Sequence, residues 1–172
     1  MTRWFEDVET DVPYPLGRHH FTHDEIAEFR AAYDPFSAGA VASGWHVAAI
    51  GHRLMVDTLA AESARLTAAG ETPGVSGPSP GFNRLSLPHP VRAGDTVAYT
   101  LVVTHKRESK SLPGWGLLIN HIIGCTESGE TVYDVEVAAF IKRRDFTPTL
   151  KQRMTMTLTR LPLLGKWLAF RR

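Results

Sequence analysis

The longest hydrophobic pattern in the chain runs from Ser43 to about Ala69 and contains no proline. Apolar and small residues recur in it at helical spacing and predict one continuous stripe. The stripe consists of Trp45, Ala48, Ala49, His52, Met55, Val56, Leu59, Ser63 and Leu66. The plainly polar positions form only a narrow strip, around His46, Arg53, Asp57 and Arg65. Because a helix that is apolar around most of its circumference has to be buried, we predict a long central helix covered by other elements. Ser43 is a suitable N-cap for it, and Gly70 suits the position just after its last turn.

A second, shorter helix is predicted before the central one. Thr22 and Glu25 have the spacing of a capping box, in which the threonine hydroxyl accepts from the Glu25 amide and the glutamate side chain reaches back to Thr22. The helix that they open carries an apolar stripe of Ile26, Phe29 and Tyr33. It is expected to end at Asp34, because a residue that precedes proline disfavours the helical region.

Strand patterns follow the central helix, and a weaker one precedes the first helix. They cover residues 16–21, 82–87, 96–104, 115–125 and 131–141. Residues 96–104 are rich in Val, Thr and Tyr, which favour strands, and Ser128-Gly129-Glu130 is typical of a tight hairpin connection. Strands joined by hairpins and kept apart from the helices indicate an α+β fold. An antiparallel sheet wrapped around the long helix would satisfy the burial that this helix requires.

Composition excludes several classes of protein. The chain has 172 residues, is 43% hydrophobic and 22% charged, and carries a net charge of +1, so no basic field favours nucleic acid. No run approaches the ~18 apolar residues of a membrane span. The single cysteine and the acidic N-terminal residues, which do not resemble a signal peptide, lead us to expect a cytoplasmic protein. The eight histidines show no metal-ligand spacing, and we expect neither a metal nor a cofactor.

A series of short motifs follows one another along residues 3–144. They are Thr22-x-x-Glu25-Ile26-x-x-Phe29, Tyr33-Asp34-Pro35, Ala42-Ser43-Gly44-Trp45-His46, Pro90-Val91-Arg92-Ala93-Gly94-Asp95-Thr96, Lys106-Arg107-x-Ser109-Lys110-Ser111, and Gly129-Glu130-Thr131-Val132. In this order and spacing they resemble the MaoC-type acyl dehydratases and (R)-specific enoyl-CoA hydratases, which have the hot-dog fold. The resemblance implies a hot-dog domain over residues 1–144, followed by a basic and apolar C-terminal extension over residues 145–172.

The resemblance also implies an activity and a site. The family hydrates enoyl thioesters, or dehydrates 3-hydroxyacyl thioesters, with CoA or acyl carrier protein as the carrier. Its Asp–His dyad is matched by Asp34, but the position of the usual histidine is Gly39, in a shortened connection. The backbone amide of Gly44 would polarise the thioester carbonyl at the helix N-terminus, and Ser43 and Trp45 would bind substrate.

Plainer interpretations of these residues stay open. His46 or His52 could replace the missing base, although a lone histidine on a core helix is more often a packed core residue. Asp34 could serve only to end its helix, and Gly44 only to allow close packing. An inactive acyl-thioester-binding protein is therefore the alternative to a hydratase. A hot-dog thioesterase is a third possibility, and it would use a carboxylate on the central helix, Asp57 or Glu62.

The resemblance predicts a homodimer or a higher oligomer, because the family pairs two hot-dog units around its groove. The C-terminal extension contains Trp167, Leu168 and Phe170 among basic residues and has no acid after Asp145. Such a segment can lie on an anionic membrane surface, but we favour packing within the oligomer.

Overall fold

The computed structural model describes residues 3–36 and 39–147. A short 3-10 helix, Phe5–Asp7, comes first. The elements that follow are β1 (Pro13–His20), α1 (His23–Tyr33), α2 (Gly44–Ala68), β2 (Gly81–Ser86), β3 (Thr96–Glu108), β4 (Trp115–Thr126) and β5 (Thr131–Lys142). The helices and strands predicted over these residues are confirmed. β3, β4 and β5 run beyond their predicted ends, whereas β1 and β2 begin earlier than predicted and end one residue earlier. The α+β class is confirmed as well.

The strands form one five-stranded antiparallel sheet in the order β1-β3-β4-β5-β2. The three long strands occupy the centre, and β1 and β2 form the edges. Burial alternates along β3, where Val97, Tyr99, Leu101 and Val103 point inward. It alternates in the same way along β4, where the inward row includes Leu118, Asn120 and Ile122. The sheet therefore has one apolar inner face, against which the helices pack.

Close contacts fix α2 to this inner face. A Cβ added to Gly51 would lie 2.8 Å from the Tyr99 ring, so the missing side chain lets the helix backbone approach the sheet. The Tyr99 hydroxyl donates a hydrogen bond to the Val47 carbonyl oxygen at 3.0 Å. Further along the helix, the Thr58 hydroxyl donates to the Leu16 carbonyl oxygen of β1 at 3.1 Å. The helix therefore crosses the sheet with the side that carries Val47 and Gly51 facing inward.

The caps of the helices agree with the sequence in part. The Thr22 hydroxyl accepts from the Glu25 amide at 3.3 Å, as predicted, while the Glu25 carboxylate contacts the His19 ring at 2.8 Å. Gly70 has a φ of +77°, and its amide and that of Glu71 donate to carbonyls in the last turn of α2. Ser43 occupies the N-cap position, but its side chain makes no capping hydrogen bond.

In the single chain the sheet covers one side of α2. His46, assigned to the polar strip, is buried at 6% exposure, whereas Trp45 of the apolar stripe is 65% exposed and Val56 is 43% exposed. The reason is that one sheet can cover only one side of a helix, and the contact at Gly51 selects that side. The remaining apolar side of α2 is left uncovered by the described residues of this chain.

The C-terminal part of the chain is described only as far as Thr147. The predicted extension over residues 145–172 lies almost entirely outside the described residues, and the boundary at residue 144 stays a prediction. Among the described residues, no helix is long and apolar enough to cross a membrane.

Candidate functional site

A cavity of about 440 Å³ lies between α2 and the inner face of the sheet, and we call it the groove. Its helix side consists of Trp45, Ala48, Ala49, His52 and Met55. Its sheet side is formed mainly by apolar residues of β4, β5 and β2, namely Leu85, Ile122, Val135, Val137 and Ala139. Small residues on the helix leave the space that larger ones would fill. The groove is therefore an apolar slot of a size that suits a small ligand.

Few polar groups reach the groove. The Ser79 hydroxyl is engaged, because it donates to the Ala138 carbonyl oxygen at 2.6 Å. Tyr133 also lines the groove, and burial raises the pKa of its phenol, so it stays protonated at neutral pH. His52 lines the helix side and is exposed. Among the described residues, no carboxylate belongs to the lining.

Asn120 is the polar group that the sequence analysis missed. Its side chain lines the groove at only 5% exposure, and its Oδ1 atom has no hydrogen-bond partner. A signal was present in the sequence, because Asn120 stands between Leu118 and Ile122 in the alternating pattern of β4. A polar residue at an inward position of a strand is unusual, since burying it unpaired costs free energy.

The N-terminus of α2 lies beside the groove. Trp45 lines the groove, and Gly44 contacts the side chain of Leu87, which follows β2. A Cβ on Gly44 would lie 2.3 Å from the Leu87 Cδ1 atom, so a side chain at this position would collide. Close packing alone therefore accounts for this glycine. The free amides of a helix N-terminus also favour an oxygen that carries negative charge, and both roles are compatible.

His46 lies in an aromatic cluster rather than in the groove lining. Its ring stacks on Phe29, with centroids 4.6 Å apart and planes 5° from parallel, and it meets Phe21 edge-on at 5.3 Å. The Nδ1 atom is buried without a partner, and burial lowers the pKa of the imidazole. The ring is therefore neutral at neutral pH and packed as a core aromatic.

Asp34 lies at the C-cap of α1, where its backbone amide donates to the Arg30 carbonyl oxygen at 2.9 Å. Its side chain is half-buried and is not part of the groove lining. The shortened connection after it is anchored, since the Arg30 guanidinium donates to the Gly39 carbonyl oxygen and the Ala42 amide donates to Val91 at 2.8 Å. Gly39 occupies the position at which the resemblance implies a catalytic histidine; it has no side chain, and its φ is +97°.

Besides the His19–Glu25 contact, an imidazole–carboxylate pair lies on the other face of the sheet. His121 Nε2 lies 2.7 Å from Asp134 Oδ1, and Arg84 makes a two-point contact with the same carboxylate at 2.9 and 3.0 Å. Burial raises the pKa of Asp134, but the hydrogen bonds from His121 and Arg84 outweigh it and lower the pKa overall. Because His121 alternates with the inward Asn120 and Ile122, this cluster faces away from the groove. The contacts among Arg84, His121 and Asp134 connect β2, β4 and β5.

The two carboxylates proposed for a thioesterase form ion pairs with arginines of α2. Asp57 pairs with Arg53 at 2.7 Å, and Glu62 pairs with Arg65 at 2.8 Å. Neither carboxylate lines the groove, so the structure gives no support to a thioesterase that uses them. The described residues hold no group of three or more His, Cys, Asp or Glu side chains that could bind a metal ion.

Comparison with known proteins identifies the fold. No protein-family model matches the chain, and no curated protein matches its sequence. Among solved structures, it is similar to a MaoC-like dehydratase from Rhodospirillum rubrum, with a TM-score of 0.63 and 24% identity over 83% of this chain and 99% of that one. It is also similar to a monoamine oxidase regulatory protein from Archaeoglobus, with a TM-score of 0.63 and 18% identity over 84% of this chain and 95% of that one.

A third similar structure gives the architecture its name. It is a Mycobacterium tuberculosis protein described as having a double hot-dog fold, with a TM-score of 0.50 and 13% identity. The match covers 85% of this chain but only 46% of that protein. At these identities the likeness concerns the fold, and it confirms the fold that the motifs predicted: the chain has the hot-dog fold found in MaoC-like dehydratases.

Proposed function

We propose that this chain binds acyl thioesters and holds their acyl chain in the groove between α2 and the sheet. The observation that carries the proposal is the shape and chemistry of the groove, about 440 Å³ of mainly apolar space beside a helix N-terminus. An acyl chain gains about 0.8 kcal/mol for each methylene that it buries. The Gly44 end of α2 offers backbone amides to the thioester oxygen, while CoA or acyl carrier protein stays outside.

Binding is better supported than catalysis. Hydration needs a positioned base, and the groove carries no carboxylate among the described residues. Gly39 provides no imidazole, and His46 is packed on Phe29 with a lowered pKa. We therefore favour a protein that retains the acyl-thioester site of this fold without the dyad.

A hydratase is the second candidate, and one observation favours it. His52 lies in the wall of the groove and is exposed, so its imidazole can reach a bound thioester or a water molecule. In this alternative His52 would act as the base, and Asp34 would have to lie within reach of the same water molecule.

One experiment separates the two candidates. Decanoyl-CoA is titrated into the protein by calorimetry, and hydration of trans-2-decenoyl-CoA is followed with wild type, Asp34→Ala and His52→Ala. We expect decanoyl-CoA to bind and the hydration rates of all three proteins to equal that of buffer. Hydration by wild type that either substitution abolishes would establish the hydratase. Absence of decanoyl-CoA binding would refute the proposal.

We propose further that two chains pair. The groove lies at the β2 edge of the sheet, where Phe82 is 58% exposed, and the uncovered side of α2 includes Trp45. A second copy would cover both, and the double hot-dog protein, of which this chain matches 46%, provides a precedent for two units. Light scattering should give twice the chain mass of 19.0 kDa. A mass of 19.0 kDa at micromolar concentration would exclude the pairing.

A further inference from the structure

The buried carboxamide of Asn120 has no structural role that its surroundings explain. Its Oδ1 atom is buried without a partner, between the apolar Leu118 and Ile122 of the same inward row. Leaving a buried acceptor unpaired costs about 1–3 kcal/mol. A leucine at this position would avoid that cost and would continue the apolar row. The carboxamide therefore needs a partner from outside the described chain.

The place of Asn120 in the groove limits what that partner can be. Asn120 pairs across the sheet with Val137, and both residues line the groove, as does Phe82. The lining around them is apolar, so a polar group of the ligand that reaches this point meets the carboxamide and little else. A hydroxyl group can donate to the carboxamide oxygen or accept from its NH₂ group, whichever way the amide is turned.

The strand register places Asn120 far from the end of the groove that takes the thioester. Leu87, which contacts Gly44, follows Ser86, and Ser86 pairs with Asp134. Asn120 lies at the level of Val137, at least three residues further along β5. At about 3.3 Å per residue, this amounts to at least about 10 Å of strand. A hydroxyl on the third carbon of an acyl thioester does not reach so far.

We infer that the groove selects acyl chains that carry a hydroxyl group far from the thioester, and that Asn120 is the residue that recognises this hydroxyl. The inference rests on the proposed function, because it takes the thioester to lie at the N-terminus of α2. The ligand class is an ω-hydroxylated or mid-chain-hydroxylated acyl thioester. A plain alkyl chain fits the same groove but leaves the carboxamide unpaired, and selectivity follows from that difference.

The test compares two ligands that differ only in the hydroxyl group. Decanoyl-CoA and 10-hydroxydecanoyl-CoA are titrated by calorimetry into wild type, Asn120→Leu and Ile123→Leu. Wild type should bind the hydroxylated thioester at least about fivefold more tightly, and Asn120→Leu should prefer decanoyl-CoA. Ile123→Leu makes a conservative change on the outward side of the same strand, outside the groove lining, and should keep the wild-type preference. Thermal unfolding of Asn120→Leu should occur at or above the wild-type temperature, which shows that its altered preference does not come from misfolding.

The outcomes distinguish failure of this inference from failure of the proposed function. If wild type binds both thioesters equally well, or if Asn120→Leu keeps the preference for the hydroxylated one, the role of Asn120 is refuted and acyl-thioester binding stands. If neither thioester binds wild type, the proposed function is refuted and this inference with it.

Discussion

Replacing Ala49 with tryptophan should reduce the affinity for decanoyl-CoA by about 100-fold. Ala49 lines the helix side of the groove and is exposed, so the larger ring can enter the groove without displacing the sheet. An indole in this position excludes several methylenes of the acyl chain. At about 0.8 kcal/mol for each methylene, the loss of four of them costs about 3 kcal/mol. Calorimetric titration of both proteins with decanoyl-CoA measures the difference.

The matched control is Ala60→Trp, on the same helix. Ala60 is exposed and does not line the groove, so the same added ring should leave the affinity unchanged within a factor of two or so. Circular dichroism should show that both variants keep the wild-type helix content. Equal affinities of Ala49→Trp and wild type would mean that the acyl chain binds elsewhere.

The second large effect is expected on stability, from Gly51→Leu. A Cβ at this position lies 2.8 Å from the Tyr99 ring and 3.4 Å from the Tyr133 ring, and both rings are buried. The leucine must therefore push α2 away from the sheet, and overpacking of this kind costs about 3 kcal/mol. Leucine has a higher helix propensity than glycine, which stabilises the helix by about 1 kcal/mol. We therefore expect a net loss of about 2 kcal/mol in the free energy of unfolding. Urea denaturation followed by circular dichroism measures this loss as a lower midpoint.

Ala60→Leu is the control for this change. It introduces the same side chain on the same helix at an exposed position, and its effect should stay within about 0.5 kcal/mol of wild type. If Gly51→Leu is as stable as Ala60→Leu, the close approach of α2 to Tyr99 is not what holds the helix on the sheet.

The sequence predicted the elements of this fold because their signals are local. Alternation along residues 96–104 and 115–125 depends only on neighbouring side chains, and so does the capping contact between Thr22 and Glu25. The order and spacing of the motifs along residues 3–144 carried the resemblance that predicted the architecture. Motifs in the same order and spacing over more than a hundred residues rarely occur by chance. The hot-dog fold is therefore predictable from the sequence.

The orientation of α2 could not be predicted in the same way. The helix is apolar around most of its circumference, so the pattern does not say which side faces the sheet. That side is selected by the contact of Gly51 with Tyr99, two residues that are far apart in the sequence. For this reason His46 was assigned to a polar strip, although the ring is buried against Phe29.

The groove could not be predicted from the sequence pattern, because residues from separate helices and strands form it. Trp45 and His52 were singled out as candidates and do line it, while Asp34, Ser43, Gly44 and His46 do not. Their roles in binding or catalysis stay predictions. Asn120 could have been noticed as a polar residue in an apolar row, but only the structure shows that its oxygen is unpaired.

The most direct test of this account is a crystal structure of the full chain with decanoyl-CoA. We expect the decanoyl chain between α2 and the sheet, in contact with Val135 and Val137, and the thioester oxygen near the Gly44 amide. An empty groove with decanoyl-CoA bound at another surface would contradict the account.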